Sequence, residues 1–138
     1  MTASATLPNP APFVNPETKP FWDATLQSKL LIKHCDDCSE YYWYPRTICP
    51  FCGSFNTSWY EASGKGTIYT FSITRRGQGL YKDTTPFVLS YVQLEEGPRL
   101  MTNIVDCDVD ALQVGDAVSV VFHDTGEGSA LPRFVPAG

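Results

Sequence analysis

The chain has 138 residues, 43% hydrophobic and 18% charged, enough apolar material for one ordinary domain or one domain with a small appendage. Its net charge of −5 argues against a general polyanion binder, which needs a surplus of Lys and Arg. MTASATLPNP lacks the basic start and apolar run of an export signal, and no run of about 18 apolar residues offers a membrane span. A reducing, cytoplasmic compartment is therefore expected, where paired Cys-x-x-Cys motifs serve metals more often than disulfides.

Residues 1–20 hold five prolines (Pro8, Pro10, Pro12, Pro16 and Pro20), which remove backbone donors and fix φ. This arm is expected to avoid helix and central strand, to be extended and mobile alone, and to be open to ordering against a partner. In FWDATLQSKLLI, Phe21, Trp22, Leu26 and Leu30 fall on one helical face, predicting a helix from about 17 to 28 that runs into a strand ending at Cys35. Residues 21–60 form a small unit with Tyr41, Tyr42, Trp43 and Tyr44 between two cysteine pairs. A unit this small needs a staple, because it cannot bury a core of its own.

After Ser63-Gly64-Lys65-Gly66 the pattern becomes strand-like, and residues 61–138 read as a second unit. TIYTFSIT (67–74) alternates, with Tyr69, Phe71 and Ile73 on one face. Further strands are expected at 86–94, 99–105, 117–123 and 131–135, with a one-turn helix at about 109–113. Five strands with a small helical link after the third match a five-stranded Greek-key barrel of the OB type. No βαβ alternation is present, so a parallel sheet is not expected.

The strongest chemical signal is CDDCSEYYWYPRTICPFC (35–52), two Cys-x-x-Cys pairs ten residues apart. Two residues between ligands let a tight turn aim both sulfurs inward, so Cys35, Cys38, Cys49 and Cys52 can surround one tetrahedral ion. Pro50 fixes the entry to the second turn, and Gly53 permits positive φ after the last ligand. Zinc is the expected ion, although cysteine ligands alone do not exclude iron in a rubredoxin-type electron carrier. Four protein ligands leave no open position for water, so the metal is expected to be structural, with its binding energy serving folding. A redox dithiol needs one pair only, and no thioredoxin-like pattern surrounds either pair.

A cysteine ribbon followed by an OB barrel also suits single-stranded nucleic acid, with Tyr69, Phe71 and Tyr91 as stacking platforms, but the acidic balance opposes it. A more specific match lies in an ordered series from about Pro20 to Pro136: FWDATLQSKLLIKHCDDC, YPRTICPFCGS, SGKGTIYTFSIT, TPFVLSYVQLEEGPRLMTNIV, LQVGDAVSVVF and LPRFVP. In this series the chain resembles the zinc-ribbon/OB-fold accessory proteins that accompany thiolase-superfamily enzymes on acyl-CoA substrates. The resemblance implies a mainly β fold, in which an N-terminal helix and rubredoxin-like zinc ribbon precede a five-stranded OB-fold barrel. It implies zinc on Cys35, Cys38, Cys49 and Cys52. It also implies a partner chain (a β-ketothiolase, retro-aldolase or C-acyltransferase) in a heterotetramer of two chains of each kind. The partner is expected to hold the reactive groups, while this chain supports the assembly and the substrate or CoA cleft.

No nucleophile–base arrangement stands out, so no catalytic residue is assigned. His34 and His123 are expected to be structural, and Cys107 is expected to be a poor thiolate beside Asp106 and Asp108. Asp106, Asp108 and Asp110 lack the glycine and terminal glutamate of an EF-hand, and Gly64-Lys65-Gly66 is too short for a phosphate loop. The remaining candidate surface is the 75–85 loop. There Arg75, Arg76 and Lys82 could pair with CoA phosphates and Tyr81 could cover a substrate; a solvated, mobile hairpin is the alternative.

Overall fold

The computed structural model describes residues 7–137. Helix α1 (Lys19–Thr25) leads into a small antiparallel sheet of β1 (Leu31–Cys35), β2 (Tyr41–Tyr42) and β3 (Thr57–Glu61), in the order β2-β1-β3. The remaining strands are β4 (Lys65–Thr74), β5 (Phe87–Leu94), β6 (Arg99–Ile104), β7 (Ala117–Asp124) and β8 (Ala130–Pro136). They close into a barrel of order β4-β5-β6-β8-β7. Every pairing is antiparallel except β6 with β8, which meet in parallel at Ile104 and Phe134. Among the described residues no helix is long and apolar enough to cross a membrane.

Alternation builds the barrel core directly. Val88, Ser90, Val92 and Leu94 of β5 point inward, while Leu89 and Tyr91 remain 41% and 44% exposed. Opposite them, Leu100 and Ile104 of β6 are buried and Met101 is exposed. On β4 the period breaks: Ile68 pairs with Val92 and Thr70 with Tyr91, leaving Tyr69 as the extra residue of a β-bulge. Ile68, Phe71 and Ile73 consequently pack on the core, and Tyr69 turns outward beneath the Arg99 guanidinium, 3.8 Å from its ring centre. The simple period had grouped Tyr69 with Phe71 and Ile73; one inserted residue separates them. At Gly66, β4 pairs with Leu94 on one side and Val118 on the other, where a Cβ would stand 2.6 Å from the Gln93 carbonyl. Barrel closure requires glycine there.

The core does not stop at the barrel. Phe21 and Trp22 of α1 and Leu30 and Ile32 at the start of the ribbon join Ile68, Val92, Leu100 and Phe134 in one apolar cluster. The Thr25 hydroxyl accepts the buried Ala130 N–H at 3.0 Å, fastening the helix to β8. The ribbon tip has only a second, minute cluster of Cys35, Tyr42 and Cys49 with Cys38 beside it.

Several expectations need correction. The helix is shorter than 17–28: Ser28 takes φ of 58°, and the Lys29 N–H folds back to the Ala24 carbonyl. Pro20 lies within its first turn, where the missing N–H costs nothing, so the proline segment does contribute to a helix. The 109–113 segment is a turn closed by Ala111 N–H to the Asp108 carbonyl, with no helix. Residues 7–9 of the arm lie on the barrel of their own chain, whereas residues 13–17 are exposed. Leu7 is 6% exposed, and Arg133 donates to the Pro8 carbonyl at 2.7 Å and to Asn9 Oδ1 at 2.5 Å. The part of the arm before residue 7 falls outside the described residues.

Candidate metal centre and adjoining cavity

The four cysteines sit on two similar knuckles. In the first, Ser39 N–H bonds the Cys35 carbonyl and Cys38 N–H approaches Cys35 Sγ at 3.4 Å. In the second, Gly53 N–H bonds the Cys49 carbonyl and Phe51 N–H approaches Cys49 Sγ at 3.4 Å. Both turns end on positive φ, at Ser39 (64°) and Gly53 (78°). Gly53 matches its expected role, whereas the serine at the equivalent position tolerates the same conformation unforeseen. Outside the sulfurs, Ser54 Oγ and Asn56 Nδ2 both donate to Asp37, tying the two knuckles together.

The sulfurs of Cys35, Cys38, Cys49 and Cys52 all lie within 4.8 Å of one another. Cys35 to Cys52 is 3.6 Å and Cys38 to Cys49 is 3.7 Å. A tetrahedral ion with Zn–S near 2.3 Å requires sulfur separations of about 3.8 Å, so the cage has the right size. Its electrostatics also call for a cation. Burial opposes ionisation of Cys49, yet the N–H groups of Cys52 and Phe51, together with the Cys38 and Cys35 thiols, outweigh it and bring the thiol to about 7. Cys38 is helped by the Glu40 N–H, but burial and the surrounding sulfurs push it up to about 12. One thiolate forms readily and the next is opposed by the first, so a divalent ion is what allows all four to ionise. When bound, zinc would cross-link the knuckles; the four thiolates would complete its shell.

The aromatics between the pairs divide by depth. Tyr42 is buried and donates to the Arg46 carbonyl at 2.6 Å, and Tyr41 lies between His34 and Tyr60. Trp43 reaches across to Phe21, ring centres 4.7 Å apart, and Tyr44 is 42% exposed. His34 Nδ1 lies 2.9 Å from Asp36, outside the sulfur cage. Burial raises the Cys107 thiol, with Asp108 and Asp106 adding to it. The direction matches expectation, but burial is the larger cause.

Where ribbon, helix and barrel meet, a cavity of about 700 Å³ opens. Its aromatic wall comprises Trp22, Trp43, Tyr44, Tyr81 and Tyr91, and Arg46, Arg99 and Arg133 also belong to it. Of the four loop residues singled out above, only Tyr81 lines this cavity. Arg75 is engaged with Asp110 at 3.3 Å, and Arg76 and Lys82 are exposed elsewhere on the loop. The loop itself is folded: a 3-10 turn spans Gly79–Tyr81, and Tyr81 packs on Phe87 with ring centres 5.5 Å apart. Arg46 and Arg99 were not anticipated, since they are 53 positions apart and only the folded chain unites them.

A mainly β chain whose four-cysteine ribbon is fused through a shared core to a closed five-stranded barrel is a rubredoxin-like ribbon/OB-fold protein. Residues 22–58 match the family profile described as the ChsH2 rubredoxin-like zinc ribbon domain, and residues 59–123 match that of the ChsH2 C-terminal OB-fold domain. The chain belongs to this ChsH2-type, DUF35 family. A DUF35 domain-containing scaffold protein of Methanothermobacter thermautotrophicus is 38% identical over 96 residues, covering 67% of this chain and 71% of that protein. A protein of Thermomonospora curvata described as "Probable enoyl-CoA hydratase alpha subunit" is 31% identical over 93% of this chain, which spans only 40% of that relative. Among solved structures, a chain of the "Ltp2-ChsH2(DUF35) aldolase" superposes with a TM-score of 0.82 at 30% identity, covering 93% of this chain and 100% of that one.

Proposed function

We propose that this chain is the zinc-ribbon/OB-fold accessory subunit of a thiolase-type enzyme that acts on acyl-CoA thioesters. The enzyme would be a β-ketothiolase, a retro-aldolase or a C-acyltransferase. The observation that carries the reading is the near full-length match to the ChsH2(DUF35) chain of an Ltp2 aldolase. The enoyl-CoA hydratase relative and the archaeal scaffold proteins support the same acyl-CoA and scaffolding roles. In this reading Cys35, Cys38, Cys49 and Cys52 hold one structural Zn²⁺, and the partner supplies the reacting groups. The two kinds of chain form a heterotetramer in the cytoplasm. The division into an arm to residue 20, a ribbon unit 21–60 and a barrel unit 61–138 belongs to the same reading.

The chain's own contribution is positional. The shared core sets the ribbon rigidly against the barrel, so a partner gripping one would meet the other at a fixed angle. Arg75, Arg76 and Lys82 would face CoA phosphates from the loop, with Tyr81 at the edge of the acyl cleft. Reconstitution with a thiolase-type partner tests this. Replacing Arg75 and Arg76 by Ala should raise the KM for the CoA thioester about tenfold while leaving the assembly mass unchanged. An unchanged KM in an intact complex would remove the loop from the CoA site.

A further inference from the structure

Accessibility divides the four sulfur ligands in a way that holding an ion does not require. Cys35 and Cys49 are buried, Cys38 is half-buried and Cys52 is exposed. Pro50, Phe51 and Gly53 around Cys52 are exposed too, and the space that a Gly53 side chain would take is open. Each outer sulfur lies against a buried sulfur of the opposite knuckle: Cys52 is 3.6 Å from Cys35, and Cys38 is 3.7 Å from Cys49. The knuckles are also joined without the ion. Asp36 N–H donates to the Asn56 carbonyl at 2.9 Å, and Asp37 accepts from Ser54 Oγ and Asn56 Nδ2. The fifth thiol, Cys107, stands apart, 6% exposed and directed at the Ile104 carbonyl.

An accessible sulfur beside a shielded one makes an oxidisable pair: the outer sulfur meets the oxidant and the inner one resolves the product. We propose that the ribbon is a peroxide-sensitive switch, in which oxidation joins Cys52 to Cys35 and Cys38 to Cys49 across the knuckles and expels the bound zinc. The Cys52 thiolate first attacks the peroxide O–O bond and keeps one oxygen as a sulfenic acid; the other oxygen leaves as hydroxide and is protonated to water. The Cys35 thiolate then attacks the Cys52 sulfur. The S–S bond forms as the S–O bond breaks, and a second hydroxide leaves and is protonated to water. Cys38 and Cys49 repeat both steps with a second peroxide. Sulfurs joined in disulfides are no longer thiolate ligands, so the ion departs. Asp36, Asp37 and Glu40 put negative charge beside the site, which favours a neutral peroxide over an anionic oxidant. The tip then loses its staple, while the main core, which holds only the shielded Cys107 thiol, keeps its packing. The switch needs no partner chain, so it stands apart from the accessory-subunit reading.

The test treats the zinc-loaded full chain with hydrogen peroxide, first below one molecule per chain and then in excess. A colorimetric indicator follows released zinc, and tandem mass spectrometry maps disulfides after the remaining thiols are blocked. Trypsin cuts after Arg46, so disulfides across the knuckles link two peptides and disulfides within a knuckle do not. Below one equivalent, Cys35–Cys52 should be the principal disulfide. In excess, Cys38–Cys49 should join it, with one zinc released per chain and Cys107 recovered as a thiol. Dithiothreitol with added zinc should restore the metal content. Cys107→Ser should release zinc at a rate within about twofold of the parent chain. Disulfides within a knuckle, a disulfide to Cys107, zinc retained by the oxidised chain, or zinc released with Cys52 carried to sulfinic acid overturns the proposal.

Discussion

The two ends of the molecule hold their shape by different physics. The barrel and helix share one continuous apolar cluster in which Phe21, Ile32, Val88, Val92, Ile104 and Phe134 are fully shielded. The ribbon tip buries little beyond Cys35, Tyr42 and Cys49, and leaves Ile48, Phe51 and Phe55 44%, 64% and 71% exposed. Without sulfur ligation that tip has almost nothing apolar to set against its chain entropy. A large buried area tolerates the loss of one contact. Four ligands on one ion do not. The contrast separates what a metal can do for this chain from what hydrophobic packing does.

Removing the metal is the largest expected perturbation, because its binding free energy, on the order of 10–16 kcal/mol in small zinc modules, is also folding energy for the tip. A strong chelator should collapse the backbone NMR signals of residues 35–56 while those of β4 to β8 persist. Simultaneous loss of both sets would dissolve the distinction between the two regions. Phe134→Ala tests the other side: truncating a fully buried aromatic should cost about 3–5 kcal/mol in urea denaturation. Zinc content should stay at one per chain. A variant that loses zinc as readily as it loses stability would mean that the barrel core governs the ribbon.

The smallest effect concerns pH. His123 Nδ1 accepts a hydrogen bond from the buried Arg133, which also pins the arm at Pro8 and Asn9. Burial first, then the Arg133 charge, hold the His123 pKa below its ordinary 6.5, with Asp106 acting weakly the other way. The unfolded chain therefore takes up this proton at higher pH than the folded one. Stability from the neutral ring is complete above about pH 6.5 and drains away as pH falls from there through the lowered folded value. Between pH 7.5 and 5.5 the urea midpoint should fall, and His123→Gln should shrink that fall. A fall of equal size in the variant would assign the acid sensitivity elsewhere.

Legibility in the sequence followed the range of the interactions. The five barrel strands were readable because inward Val, Leu and Ile alternate with outward residues between glycine-rich turns, as in β5 and β6. The four sulfurs were readable because ligand spacing is a local property of each knuckle. Strand β3 was missed: TSWYE is half-exposed to exposed throughout, so it has no buried face to announce it, and it exists only by pairing with β1. The bulge at Tyr69 was invisible because an inserted residue changes the face without changing composition. The arm was misjudged because its anchor, Arg133, is 125 positions from Pro8. The cavity escaped notice for the same reason, since no local pattern brings Arg46 beside Arg99.

The claim on which the rest turns is that this chain works by docking onto a catalytic partner. Its most direct test is acyl-CoA turnover measured for the zinc-loaded chain alone, a thiolase-type partner alone, and the reconstituted pair. The account predicts no turnover by this chain alone and full activity only in the pair. Thioester turnover by the isolated chain at the rate of the mixture would contradict it.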